Sequence, residues 1–161
     1  MARDDAMARA RAASGRGRAG LAARARALPA PVLAGLLAAV TSGTPSTLVA
    51  LVRGEDVLDG ARAAGAMVLP RETRTVPLLA AAMPVHLALS VGWAVVLDRA
   101  LPRGRELPGG VAGGLLIAAL DLGVIGRRLP AIRSLPQPRQ WADHVAYGLT
   151  VGAVLARLRA P

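Results

Sequence analysis

Residues 28–52 read LPAPVLAGLLAAVTSGTPSTLVALV, and this run of 25 residues contains no charged side chain. A helix rises about 1.5 Å per residue, so about 20 apolar residues cross a hydrocarbon core of about 30 Å. The run is therefore long enough to span a membrane. It predicts an all-α, polytopic membrane protein.

Three further runs extend this pattern along the chain. The second and third each contain one ionisable residue, His86 and Asp121 respectively. The fourth is shorter and carries Asp143 and His144 near its start. We therefore predict a four-transmembrane-helix bundle in the membrane domain 28–157, with spans over about residues 28–52, 76–97, 107–126 and 141–156.

The composition is strongly basic and arginine-rich. All 20 basic residues are arginine, against ten acidic residues, which gives a net charge of +10. The lack of lysine and the low aromatic content of 2% are typical of high-GC codon usage. The chain has no cysteine, which excludes disulfides and thiol chemistry. The arginines lie in the amino-terminal tail and between the apolar runs, where membrane topology places them, so we expect no nucleic-acid partner.

The arginine distribution predicts the topology. Residues 1–27 contain seven arginines among alanine and glycine, and we expect them to form a disordered cytoplasmic tail. With that tail inside, twelve arginines lie on the cytoplasmic side and eight on the other. We predict a multi-pass protein of the bacterial plasma membrane with both termini cytoplasmic. The tail arginines either serve orientation alone or also contact anionic lipid.

The first external connection has a helical pattern of its own. Apolar residues recur at helical spacing between Val57 and Val68, opposite several charged residues, and the pattern ends before Pro70. It predicts a short amphipathic helix that is too short and too charged to span. This helix lies either at the membrane interface or as a re-entrant cap over the bundle.

Small residues recur along all four runs at spacings that permit close helix packing in lipid. These stripes favour a tight bundle and are also compatible with a homodimer or an unknown membrane partner. They comprise Gly35, Ala39 and Gly43; Ala82, Ser90 and Ala94; Gly109, Gly110, Gly113 and Gly114; and Gly148, Gly152 and Ala156.

A first polar layer is predicted near the membrane midplane, around His86. This residue shares a helical face with the small residues of the second run, so we expect it to point inward. Pro45 removes a backbone hydrogen bond and predicts a kink in the first helix. At the same depth lie candidate polar residues of the first run, Thr41, Ser42 and Thr44. His86 either bonds a hydroxyl or a freed carbonyl across the interface, or accepts protons in a polar path.

A second polar layer is predicted near the outer ends of the third and fourth runs. Counting the helical rise places Asp121 within reach of Tyr147 or His144, with Asp143 at the same level. These residues either form structural pairs or carry protons. His86 and His144 differ by about 10 Å in depth, too far apart to share one metal ion. We expect no metal or other cofactor.

Four short motifs carry a family resemblance: GTPST at 43–47, PVHLALSVGW at 84–93, Asp121, and Asp143-His144. The pattern resembles a group of small uncharacterised four-helix membrane proteins of high-GC bacteria, over about residues 30–157. The resemblance implies the fold and no activity.

Two functions are compatible with the sequence. No hydrolase, nucleotide or dinucleotide motif is present in it, so we expect a protein that is not an enzyme. The first hypothesis is a structural or partner-binding membrane component. The alternative is a small proton-coupled or small-solute permease that uses His86, Asp121 and His144. A water-accessible cavity reaching His86 favours the permease, and a hydrogen bond from His86 to a neighbouring helix in a packed interior favours the first hypothesis.

Overall fold

A computed structural model describes residues 28–160, and the regular structure of that range is helical throughout, without strands. The tail predicted for residues 1–27 lies outside the described residues. The helices are α1 (Ala30–Thr41), α2 (Thr44–Arg53), α3 (Asp59–Ala66), α4 (Thr75–Ala100), α5 (Glu106–Leu120), α6 (Pro130–Arg133) and α7 (Gln137–Arg159). A π-helical turn, Asp121–Ile125, and a 3₁₀ turn, Gly126–Arg128, continue α5.

The first apolar run forms two helices rather than one. The Ser42 N–H still donates to the carbonyl of Ala38 (2.8 Å), but α1 ends at Thr41 and α2 begins at Thr44. Pro45 lies in the first turn of α2, where its missing N–H costs least. The sequence predicted a kink near Pro45, and the structure places an interruption between Thr41 and Thr44.

Helix α4 is the longest, at 26 residues, and stays continuous through Pro84. The segment before it is held by Glu72, whose carboxylate pairs with the Arg74 guanidinium at 2.9 Å. The same carboxylate accepts hydrogen bonds from the backbone N–H groups of Thr73 and Arg74 (2.9 Å each). The Arg74 side chain and these N–H groups lower the pKa of Glu72 to about 2.

The helices pack in the spatial order α4, α1, α7, α5. Helix α2, the second half of the first apolar run, packs on α7, whereas α3, in the connection that follows, packs across α4. The core is a cluster of small and aliphatic residues with one tyrosine. It comprises Ala34, Ala38, Ala94, Leu97, Ile117, Tyr147, Val151 and Leu155.

Helices α5 and α7 pack closely through paired glycines. A Cβ atom built on Gly148 would collide with the Gly110 carbonyl oxygen and come within 2.9 Å of the Gly114 Cα atom. One built on Gly152 would collide with the Glu106 carbonyl oxygen. The predicted small-residue contacts are present at this interface. Gly43 is an exception, because a Cβ atom there has no neighbour within 4 Å.

Three helical segments are long and apolar enough to cross a membrane: Ala30–Arg53, Thr75–Ala100 and Glu106–Arg128. The all-α prediction is confirmed, and these segments are compatible with a membrane protein. Helix α7 has 23 residues and is longer than the predicted run 141–156, but it carries polar residues at both ends.

Candidate functional site

Asp121 and His144 come together where α5 gives way to the π-helical turn. The His144 Nε2 atom lies 3.6 Å from the Asp121 Oδ2 atom, and both side chains are about three-quarters buried. The His144 Nδ1 atom lies 2.7 Å from the Gln140 carbonyl oxygen. A carbonyl only accepts hydrogen bonds, so Nδ1 carries the proton and Nε2 is the nitrogen that faces the carboxylate. From the helical rise, the sequence predicted that Asp121 lies within reach of Tyr147 or His144, and the structure places it beside His144.

Asp143, the neighbour of His144, ties α7 to the break in the first run. Its Oδ1 atom accepts a hydrogen bond from the Ser46 backbone N–H at 2.9 Å. Ser46 lies in the first turn of α2, where backbone N–H groups lack partners within the helix. The carboxylate therefore satisfies one of these groups and complements the positive end of α2. Thr44, at the start of α2, is exposed.

Tyr147 lies one turn further along α7 and is 6% exposed. Its hydroxyl donates to the Ser90 carbonyl oxygen of α4 at 2.5 Å. The alternative pairing of Tyr147 with Asp121 is therefore wrong, because the phenol points towards α4 and the carboxylate lies at the end of α5. Nearby, the Thr41 and Thr150 hydroxyls are 2.9 Å apart and link α1 to α7.

His86 does not point into the bundle, and that part of the sequence interpretation is wrong. Its side chain is exposed, although Ala82, Ser90 and Ala94 on the same helical face are buried. The reason is the break in the first run: α1 packs on α4, whereas α2 packs on α7. The amino-terminal half of α4 thus lacks the contact that a straight first helix would supply.

The His86 ring nevertheless reaches a neighbouring helix. Its Nε2 atom lies 2.8 Å from the carbonyl oxygen of Ala39, in the last turn of α1, where carbonyls lack partners within the helix. A hydrogen bond between His86 and a freed carbonyl across the interface is one of the two alternatives that the sequence predicted. Ser42, another candidate of this layer, is buried at the break.

An ionic cluster lies at the opposite end of the bundle, and it was not predicted from the sequence. Arg159 of α7 donates to the Asp98 carboxylate of α4 (2.9 Å) and to the Glu106 carboxylate of α5 (3.3 Å). It also donates to the backbone carbonyls of Asp98 and Leu101. The sequence does contain a signal for this cluster, because the predicted topology places all three charged residues at span ends on one side of the membrane.

The two ionic sites are separated along α7 by a packed apolar stretch. The α7 residues that are buried between His144 and Arg159 are Tyr147, Gly148, Val151, Gly152 and Leu155. Within residues 28–160, no three His, Cys, Asp or Glu side chains are grouped to hold a metal ion. The chemistry that this arrangement supports is hydrogen bonding and proton binding at the Asp121–His144 end.

No protein-family model, curated protein or solved structure matches the chain.

Proposed function

We propose that this chain is a four-span protein of the bacterial plasma membrane that acts as a structural component and binds a partner within the membrane. Helix α7 is the fourth span. Its 23 residues have a length of about 34 Å at the helical rise, enough for a hydrocarbon core of about 30 Å. Its polar residues Asp143, His144 and Arg159 have partners on other helices, which lowers the cost of placing them in lipid.

The orientation follows from the arginine bias. An even number of spans places both termini on one side, and the twelve-to-eight excess favours the cytoplasm. In this orientation α3 lies on the external side, either at the interface or as a cap. The contact between the tail and anionic lipid, and the relation to small membrane proteins of high-GC bacteria, stay predictions.

One observation supports the partner-binding role: the exposed His86 lies near the middle of α4, the longest span. Its Nε2–H group donates to Ala39, so in the neutral ring the Nδ1 atom is an unused acceptor. An unsatisfied polar atom in the hydrocarbon region is costly. A partner helix that presents a hydroxyl or amide donor to Nδ1 removes that cost.

Exposed apolar residues flank His86 on its own side of α4. Met83 is 60% exposed and Leu89 is 44% exposed, and they lie three residues before and three residues after His86. A partner helix that reaches the His86 Nδ1 atom therefore also packs against these two side chains. We define Met83, His86 and Leu89 as the outward face of α4.

We expect a photo-crosslinking amino acid at Met83 to form a specific adduct in intact cells, because a partner helix then covers the outward face of α4. The same probe at Leu116, which is 71% exposed on α5, provides the control for lipid-facing positions. Replacing His86 with leucine should reduce the Met83 adduct about tenfold, equivalent to about 1.4 kcal/mol, by removing the hydrogen-bonding group.

The thermal midpoint of the His86→Leu variant separates loss of binding from loss of folding. It should stay within a few degrees of the wild type, because the side chain is exposed. Equal adducts at Met83 and Leu116, or a Met83 adduct unaffected by His86→Leu, would contradict partner binding through this face. Mass spectrometry of the adduct distinguishes a second copy of this chain from another membrane protein.

A proton-coupled or small-solute permease is the second candidate, favoured by the proximity of Asp121 and His144. Proteoliposomes containing a pH-sensitive dye distinguish the two functions. The structural role predicts no proton flux above that of protein-free vesicles. A flux that Asp121→Asn abolishes without loss of thermal stability would instead establish the permease.

A further inference from the structure

A groove lies at the end of the bundle that carries the 98–106 connection and the carboxyl-terminal end of α7. It has a volume of about 450 Å³. The Arg159–Glu106 ion pair is part of its lining, and the Glu106 side chain is only 5% exposed. Its lining residues are Arg103, Gly104, Glu106, Leu107, Pro108, Ala156, Arg159 and Ala160.

The charge of this end is unbalanced. Its two acidic residues, Asp98 and Glu106, are both paired with Arg159. The remaining arginines of this end are exposed and form no ion pair within residues 28–160. They are Arg99, Arg103, Arg105 and Arg157.

The opposite end of the bundle differs in charge pairing. There, Arg62 pairs with Asp56 and Asp59, Arg74 with Glu72, and Arg139 with Glu55. With Asp121 and Asp143, that end holds six acidic residues against eight arginines, whereas the groove end holds two acidic residues against five arginines. Acidic residues therefore compensate a smaller share of the positive charge at the groove end. Anion recognition is therefore favoured at the groove.

Leu107 and Pro108 give the groove an apolar wall. Leu107 is 46% exposed, and Pro108 is also exposed. A ligand that fits both features has a negatively charged head beside Arg103 and a hydrocarbon chain along Leu107 and Pro108. Inorganic phosphate satisfies only the first of these two features.

We propose that this groove binds an anionic phospholipid. Its phosphate lies beside Arg103, whose planar guanidinium group presents paired N–H donors to phosphate oxygens. Arg105, exposed in the same connection, adds positive charge next to the groove, and one acyl chain follows the apolar wall. Basic pockets between transmembrane helices hold such headgroups. The inference rests on the proposed membrane location of the chain, and it is independent of partner binding at the outward face of α4.

Native mass spectrometry of the full chain, released from nanodiscs made of equal parts phosphatidylcholine and phosphatidylglycerol, tests this site. The wild type should retain phosphatidylglycerol in preference to phosphatidylcholine. The double variant Arg103→Gln/Arg105→Gln should retain phosphatidylglycerol about tenfold less, since each arginine near an anionic headgroup contributes measurably to binding. Its thermal midpoint in phosphatidylcholine discs should equal that of the wild type.

The matched control is Arg53→Gln/Arg71→Gln, which removes two exposed arginines at the opposite end. It should retain the lipid as the wild type does. Equal retention by both double variants, or displacement of the lipid by inorganic phosphate alone, would overturn the proposal. Failure of the chain to enter nanodiscs would instead contradict the membrane location on which the proposal rests.

Discussion

Replacing Gly148 with leucine should separate α5 from α7 and cause a large loss of stability. The first atom of the new side chain would overlap the Gly110 carbonyl oxygen and lie 2.9 Å from the Gly114 backbone nitrogen. Both atoms belong to a helix backbone and cannot rotate away. Overpacking of a close interface costs about 1–3 kcal/mol, and we expect the upper end of that range or beyond.

The thermal midpoint of the purified protein in detergent measures this effect. Gly92→Leu is the matched control, because the substitution is the same and a Cβ atom at Gly92 has no neighbour within 4 Å. The control should stay within a few degrees of the wild type. Similar midpoints for the two variants would rule out glycine packing as the basis of the α5–α7 contact.

Replacing Arg159 with alanine should lower the thermal midpoint by several degrees. The guanidinium group bonds both the Asp98 and the Glu106 carboxylates, and its removal leaves a nearly buried carboxylate without a cation. Arg157→Ala is the matched control, because Arg157 is exposed, lies two residues away and forms no ion pair among the described residues. The control should have almost no effect on the midpoint.

A second substitution tests the cause of that loss. Adding Glu106→Gln to Arg159→Ala should recover part of the lost stability, because the amide no longer places a charge at the buried position. If the double variant is as unstable as the sum of the two single variants, Arg159 and Glu106 act independently and the ion-pair explanation is wrong.

The sequence was sufficient to predict the helical class and part of the outer polar layer. Long apolar runs determine helix positions because backbone groups in lipid must bond internally. The helical rise gives depth, so Asp121 and His144 were predicted to lie together, and they do. The depth of a residue in a helix does not say which neighbouring helix its side chain faces. The sequence therefore could not decide between His144 and Tyr147 as the partner of Asp121.

His86 shows why the rest could not be predicted. The helical periodicity places it on a buried face, but the break at Ser42–Gly43 redirects α2 from α4 to α7. The sequence locates that break through Pro45 and contains no signal for the direction of the second half. The same redirection leaves Gly43 without a contact, although its spacing matches that of packed glycines.

The length of α7 was underestimated for a related reason. Its apolar run covers residues 141–156, whereas the helix extends over Gln137–Arg159. The extra turns contain Arg139 and Arg159, which pair with Glu55 and with Asp98 and Glu106. Such pairs depend on tertiary neighbours, which a hydropathy pattern does not contain.

We propose that α7 is the fourth membrane span, and cysteine labelling tests this placement directly. Because the chain has no cysteine, single cysteines at Ser134 and Ala160, both exposed and placed on either side of α7, can be labelled without background. The reagent is a membrane-impermeant maleimide, applied to cells whose outer permeability barrier has been removed and whose inner membrane is intact. We expect Ser134→Cys to react at once and Ala160→Cys to react only after the inner membrane is permeabilised. Reaction of both positions from the same side of the intact membrane would contradict the four-span account.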